Sequence, residues 1–423
     1  MSGPMVVTFG CRLNAFESEV MKENAKDKIG DGTVAGVTGS DTPDTIIVNT
    51  CAVTAEAERQ GRQTIRKLRR KHPQARIVVT GCAVQVSPDK FAAMPEIDQI
   101  LGNHEKMIPE NLQAPPPERV VVSDIMEVRE TAGHLIGGFE GRTRAFIEVQ
   151  QGCDHRCTFC IIPYGRGPSR SVPPDRVITQ IRQLVDQGYG EVVLTGVDVT
   201  SYGGDTGSEL SLGGLVLKIL REVPDLARLR LSSLDPVEVD ADLLRAVAEE
   251  ERLMPHFHLS VQAGDDLILK RMKRRHLSGD VRELAGRLRD LRPGTVLGAD
   301  VIVGFPTETD EMFQNSMRLV DDAGLTHLHV FPFSARAGTP AARMKKVPGD
   351  VVAQRSAALR AKGDAAMAAL VQSKLGQTVK VLVEDDSRGF CEHYLPVRVS
   401  GDAAAGTLIT ATVTGISGGV LQA

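Results

Sequence analysis

Apolar positions up to residue 101 fall in short runs separated by stretches of helical spacing. Val6 to Phe9, Thr45 to Asn49, Ala75 to Thr80 and Ile97 to Leu101 read as strands, and Ala15 to Lys26 and Ala55 to Lys71 as helices. Such alternation predicts a parallel sheet with covering helices. Gly30 to Gly39 reads as a loop where a strand would be expected, and Pro109 to Thr143 as a linker carrying one strand, Arg119 to Val122. A second series then begins, with strands at Ala145 to Val149, Glu191 to Thr195, Leu229 to Ser232, His256 to Val261, Val296 to Val303 and Thr326 to Phe331. Helices lie between them at Pro174 to Gln187, Leu212 to Glu222, Ala241 to Glu250, Asp280 to Asp290 and Glu308 to Ala323, and a long one follows over Asp350 to Lys374. Six strands with intervening helices predict a (β/α) barrel short of two units. From Gln377 the period becomes two, in Val379 to Val383, Pro396 to Val399 and Leu408 to Val413, which predicts a small β barrel. The expected organisation is α/β: an N-terminal open parallel α/β domain over residues 1–112, a linker over 113–138, a central partial (β/α)6 barrel over 139–370 and a C-terminal all-β module over 371–423.

A hydrophobic share of 42% and a charged share of 25% are ordinary for a globular chain. A net charge of -4 gives no bulk attraction to nucleic acid, and 4% aromatics without Trp are too few for extended base-stacking platforms. The start, Met1-Ser2-Gly3-Pro4-Met5, lacks the segments of a signal peptide, and no apolar run is long enough to span a bilayer. A cytoplasmic protein with no membrane partner is expected. In that reducing compartment seven cysteines point to metal chemistry rather than disulfides.

Six of the seven form two sets. Cys11, Cys51 and Cys82 each follow a predicted parallel strand within two residues, so they converge on one edge of the first sheet, where open α/β domains bind ligands. Buried free thiols are the alternative for this set. Cys153, Cys157 and Cys160 lie on one loop just past the first barrel strand. Their spacing suits three corners of an iron–sulfur cubane whose fourth iron stays open; a structural zinc on these three and His155 is the alternative.

The run Gln150-Gln151-Gly152-Cys153 through Cys160-Ile161-Ile162-Pro163-Tyr164-Gly165-Arg166-Gly167-Pro168-Ser169-Arg170-Ser171 resembles the radical S-adenosylmethionine methylthiotransferases. Phe9-Gly10-Cys11-Arg12-Leu13-Asn14, Val48-Asn49-Thr50-Cys51-Ala52-Val53 and Val79-Thr80-Gly81-Cys82 agree, and the resemblance covers nearly the whole chain, ending in a TRAM-like module. Gly196 to Gly203, Arg230 to Pro236, His258 to Asp266 and Lys270 to His276 are most similar to the branch that modifies threonylcarbamoyladenosine in tRNA. The resemblance implies two 4Fe-4S clusters, one on Cys153, Cys157 and Cys160 and one on Cys11, Cys51 and Cys82. It further implies S-adenosylmethionine as cofactor, the tRNA anticodon loop as partner and an electron donor of unknown identity. The implied reaction is methylthiolation at C2 of the adenine, begun by a 5′-deoxyadenosyl radical. A sister branch modifies a ribosomal protein side chain, and a metal-stabilised RNA-binding protein without catalysis is the alternative from another class.

Barrel-strand ends at Thr195, Gly196, Val197, Ser232, Ser233, Ser260, Gln262, Asp300 and Gly304 are candidate contacts to S-adenosylmethionine, with ordinary strand termini as the alternative, and Phe159 is a candidate shield for its cluster. His256/His258 and His327/His329 have strand spacing and are expected to line the barrel as hydrogen-bonded residues. Two basic stretches are candidate phosphate contacts: Arg59 to Arg76, and Lys270, Arg271, Lys273, Arg274 and Arg275. The last module carries a net -1 from Gln372 onward, which shifts the expected RNA contact away from it. Cys391 reads as structural.

Overall fold

The structure, a computed structural model, describes residues 4–25, 43–114, 116–129, 131, 138, 143–207 and 210–423. The loop expected at Gly30 to Gly39 lies outside them. The first domain contains β1 (Met5–Thr8), α1 (Arg12–Asn24), β2 (Thr45–Thr50), α2 (Ala55–Lys71), β3 (Arg76–Gly81), α3 (Cys82–Val86), α4 (Pro88–Ala92), β4 (Gln99–Leu101), α5 (Pro109–Gln113) and β5 (Val120–Val121). Its five strands are parallel and ordered as in the chain. The strand expected within the linker stretch pairs with β4 as the last of the sheet. Arg119 fixes that strand by donating to the carbonyls of Ile97 (2.9 and 3.1 Å) and Met94 (2.8 Å). In α2, Thr54 Oγ1 accepts from Ala57 N at 3.1 Å, acidic residues occupy the first turn, and Arg69, Arg70 and Lys71 occupy the last, matching the helix dipole.

The barrel opens with β6 (Arg144–Glu148), a small antiparallel pair β7 (Gln150–Gln151) and β8 (Arg170–Ser171), and α6 (Ile162–Arg166) between the two. It continues as α7 (Pro174–Asp186), β9 (Glu191–Thr195), α8 (Leu212–Glu222), β10 (Arg228–Leu231), α9 (Ala241–Glu249), β11 (His256–Gln262), α10 (Asp266–Met272), α11 (Ser278–Leu291), β12 (Val296–Val303), α12 (Asp310–Asp322) and β13 (Leu325–Pro332). Strands β10, β9 and β6 form one parallel group and β11, β12 and β13 another, joined by bridges at Leu229/Leu253 and Leu234/Leu259. Six strands so arranged leave a seam between β6 and β13. Alternation then decides what faces the inside. Phe257, Leu259, Leu297, Ala299, Val301 and Val303 pack outward against the helices, which turns His256, His258, Ser260, Asp300 and Ile302 into the lumen. On β13 the register shifts between Leu297/Leu325 and Gly298/His327, so His327, His329 and Phe331 also point inward.

After α13 (Gly349–Gln372) the last module is a six-stranded sheet built from β14 (Thr378–Asp385), β15 (Arg388–Cys391), β16 (Pro396–Arg398), β17 (Leu408–Thr412), β18 (Gly415–Ser417) and β19 (Val420–Gln422), with Cys391 buried in its core. It docks under the barrel. Arg230 donates to the carbonyls of Glu392 (3.0 Å) and Cys391 (2.9 Å), Arg228 to that of Phe390 (3.2 Å), and Arg144 pairs with Glu384 (2.7 Å). Buried Glu191 balances the barrel side, 2.9 Å from Arg230 Nε and 3.5 Å from Arg228. Tyr394 fills the lower mouth: it stacks on His256 at 5.3 Å, with the guanidiniums of Arg144 and Arg230 each 5.0 Å from its ring. No helix among the described residues is long and apolar enough to cross a membrane.

The first domain covers the seam. Phe16 and Val20 of α1 join the barrel core, and beside them Glu17 is completely buried. Arg166, at the end of α6, gives Glu17 two bonds of 2.7 and 2.9 Å, and Lys106 a third of 2.6 Å. Burial opposes the Glu17 charge, yet these two cations hold its carboxyl well below the usual carboxylate range. Replacing Glu17 by Ala strands two buried cations and is expected to cost about 3 kcal/mol in urea unfolding, far more than a surface ion pair. Because the folded carboxyl titrates below the unfolded one, this stabilisation is complete above about pH 5 and fades as the pH falls, so the wild-type/variant gap narrows in acid.

Candidate metal centres

Strands β1, β2 and β3 run in the same direction, so Cys11, Cys51 and Cys82 emerge at one edge. Gly10 and Gly81, with φ of 98° and 99°, make the turns before two of them. A Cβ on Gly10 would lie 2.9 Å from Cys51 Sγ, so only glycine lets the first turn approach the second cysteine. Burial pushes the Cys51 thiol up to about 12, helped by the nearby charge of Cys82 and, less, of Cys11. Cys82 Sγ accepts from Arg166 Nε at 3.2 Å and from Asn103 Nδ2 at 3.6 Å. The same guanidinium thus binds a first-domain sulfur and the Glu17 carboxylate.

The second set sits past β7. Cys160 N donates to Cys157 O at 3.1 Å, closing a tight turn. Burial raises Cys160 to about 11; burial and then the Asp198 carboxylate raise Cys153 well above the usual thiol range. Cys157 Sγ accepts from Arg274 Nη1 at 3.7 Å, and Arg274 also bonds Asp235 (2.9 Å) and Ser260 O (2.8 Å). His155 is turned to Asp198 at 2.8 Å and Glu238 at 3.6 Å; hydrogen bonds to these two carboxylates raise it to about 10. Cys153, His155 and Asp198 have ligand atoms mutually within 4.8 Å, but a ring held as a cation between two acids is a poor fourth zinc ligand. Gln150 joins the loop to the next strand end, its Oε1 accepting from Val197 N (3.0 Å) and Asp198 N (2.8 Å).

Both sets fit thiolate-held clusters. Each offers three soft donors at one place, and each has a guanidinium donating to one sulfur, as the charge of a thiolate-bound centre requires. Ser232 Oγ is buried at the upper rim of the lumen without a hydrogen-bond partner among the described residues, which marks that rim as a ligand site. Thr195, Gly196, Val197, Ser233, Ser260, Gln262 and Gly304 lie at neighbouring strand ends. Asp300 differs: its Oδ1 is taken by His258 Nε2 (2.9 Å) and His329 Nδ1 (3.0 Å). Phe159 meets Phe305 edge-on at 6.4 Å. Of the basic run, Lys270 and Lys273 are exposed, whereas Arg271 donates to Thr307 Oγ1 (2.7 Å), Arg274 is committed as above, and Arg275 pairs with Glu238. Sequence reasoning gave no role to Glu17, Lys106, Arg166, Asp198 and Asp235: the last three lie within the runs that carry the resemblance, and Glu17 and Lys106, among polar neighbours, offered no signal.

Residues 147–320 match the family model "Radical SAM superfamily", and residues 4–102 match "Uncharacterized protein family UPF0004". Among solved structures, the radical S-adenosylmethionine methyltransferase TsrM from Kitasatospora setae is similar in fold, with a TM-score of 0.55 at 16% identity over 81% of this chain and 77% of that one. The threonylcarbamoyladenosine tRNA methylthiotransferase MtaB of Aquifex aeolicus is 34% identical over 95% of this chain and 98% of its own. Its counterpart from Rickettsia prowazekii is 46% identical over 417 residues, 99% of this chain and 96% of the relative. At that identity, end to end, and with both cysteine sets assembled, the chain belongs to the MtaB branch of the radical S-adenosylmethionine methylthiotransferases.

Proposed function

We propose that this enzyme inserts a methylthio group at C2 of N6-threonylcarbamoyladenosine in the anticodon loop of tRNA, in the cytoplasm, with electrons from a separate donor. One observation carries the reading: two three-cysteine sets on different domains, the first tied through Arg166 to the barrel that bears the second. Cys153, Cys157 and Cys160 would hold one 4Fe-4S cluster with S-adenosylmethionine, and Cys11, Cys51 and Cys82 the other. When bound, these groups supply a radical able to take an unactivated hydrogen, a sulfur site and a methyl donor, none of which side chains provide.

The chain's own residues position and shield. Arg166 and Arg274 donate to Cys82 and Cys157, offsetting thiolate charge away from bulk water. Ser232, Ser260 and Gln262, with the turn Thr195-Gly196-Val197 and with Ser233 and Gly304, present hydroxyl, amide and backbone groups to the polar parts of the cofactor. Phe159, against Phe305, screens the cluster loop from water. Lys270 and Lys273, exposed at the end of α10, and Lys67, Arg70 and Lys71, exposed on α2, offer cations to RNA phosphates.

Anaerobically reconstituted wild type is expected to hold about eight iron atoms per chain, falling to about four in Cys157→Ala and in Cys51→Ala alike. Mass spectrometry of tRNA nucleosides from a deletion strain should show the methylthiolated nucleoside gone and its threonylcarbamoyl precursor accumulated; an unchanged profile would defeat the RNA reading. The double variant Lys270→Ala, Lys273→Ala should weaken binding to modified and unmodified anticodon stem-loops equally and flatten the log–log salt slope by roughly 1 to 2.

A further inference from the structure

The middle of the barrel lumen holds a trio that the cluster chemistry does not use. His258 Nε2 and His329 Nδ1 both reach Asp300 Oδ1, at 2.9 and 3.0 Å, with ring centroids 4.5 Å apart. A carboxylate oxygen only accepts, so each ring donates to it, and the edge of His329 left over is Nε2. Gly298 makes room beside the trio: a Cβ there would lie 2.4 Å from His258 Nδ1. The two histidines differ in access. The His258 side chain is 9% exposed and that of His329 59%. Two residues on, on the same face of β13, Phe331 is 39% exposed, its ring edge-on to His329 at 6.4 Å.

β13 borders the seam. Its outgoing loop is tied to the first domain where Ala55 N donates to Ser334 Oγ (3.0 Å) and Arg336 pairs with Glu58 (2.7 Å), a few residues beyond Cys51. An imidazole edge and an aromatic side chain thus stand open on the strand that borders the seam. Barrel interiors are ordinarily filled by branched aliphatic residues. Asp300 remains an anion, held below the usual carboxylate range by hydrogen bonds from the two imidazoles against the effect of burial, so a second carboxylate is admitted beside it only where an imidazolium balances the pair.

We propose that His329, as the imidazolium paired with Asp300, is a specificity residue: its Nδ1–H donates to Asp300 and its Nε2–H to the carboxylate of the threonylcarbamoyl group, while Phe331 stacks on the adenine. The inference rests on the substrate reading above and deepens it. An N6-alkyl adenine gives His329 no anion to bind, so the same site discriminates by charge rather than by size.

The test uses reconstituted full-length enzyme and anticodon stem-loops that differ only at the N6 group: the threonylcarbamoyl acid, its methyl ester, or none. Wild type is expected to bind the acid about tenfold more tightly than the ester. His329→Gln should bring that ratio close to one through loss of affinity for the acid, with iron content unchanged; His329→Arg, which keeps a cationic donor, should preserve it. Phe331→Ala should weaken both RNAs and leave the ratio alone. A His329→Gln enzyme that keeps the full ratio overturns the inference, as does a non-cluster divalent metal lost on substituting His329. Wild type that does not distinguish threonylcarbamoyl RNA from unmodified RNA overturns the substrate reading itself.

Discussion

The guanidinium of Arg166 is the hinge of this architecture. It is buried on the barrel side, where it donates to Gln151 Oε1, yet it also reaches the Glu17 carboxylate, Asn14 Oδ1 and the sulfur of Cys82 in the first domain. Two domains whose cores are otherwise largely separate are thereby held in one relation, and a metal ligand is part of the bond. Such a linkage is costly to assemble, since several charges leave water together, but once assembled it tolerates little displacement. Chemistry that calls on groups held by both domains needs that fixed relation more than it needs stability.

The lumen shows the same trade. Helices cover the barrel with Leu, Val and Ile, and the inward positions of the same strands carry Glu191, Arg228, Arg230, His256, His258 and Asp300. Strand alternation is enough to separate the two populations. Glu191 pairs with Arg228 and Arg230, and Asp300 with His258, whereas His256 Nε2 and Ser232 Oγ have no hydrogen-bond partner among the described residues.

Much of this was legible in the order of residues. Period-two and period-3.6 patterns locate every barrel strand, because each is long, apolar on its outer face and bounded by turns. The six cysteines were readable as two sets from their places after strands. Less visible was whatever depended on three-dimensional neighbours. β5 is two residues long and follows three prolines, so its stretch reads as a linker carrying one strand, and only the pairing with β4 joins it to the first sheet. Arg274 and Arg275 read as RNA contacts because a run of cations looks solvated; in the fold Asp235 and Glu238, some forty residues earlier, claim them. The strand spacing of His327 and His329 places both rings in the lumen, but the register shift that sets His329 opposite Asp300 is disclosed by no periodicity.

The seat of Tyr394 in the lower mouth gives the terminal module a duty unrelated to RNA. It works as a stopper: without it the shaft lined by Arg144, Glu191 and Arg230 would drain straight to bulk solvent from beneath. With it in place the shaft is closed from below by the ring that lies on His256, and the interior is a blind well rather than a through-channel.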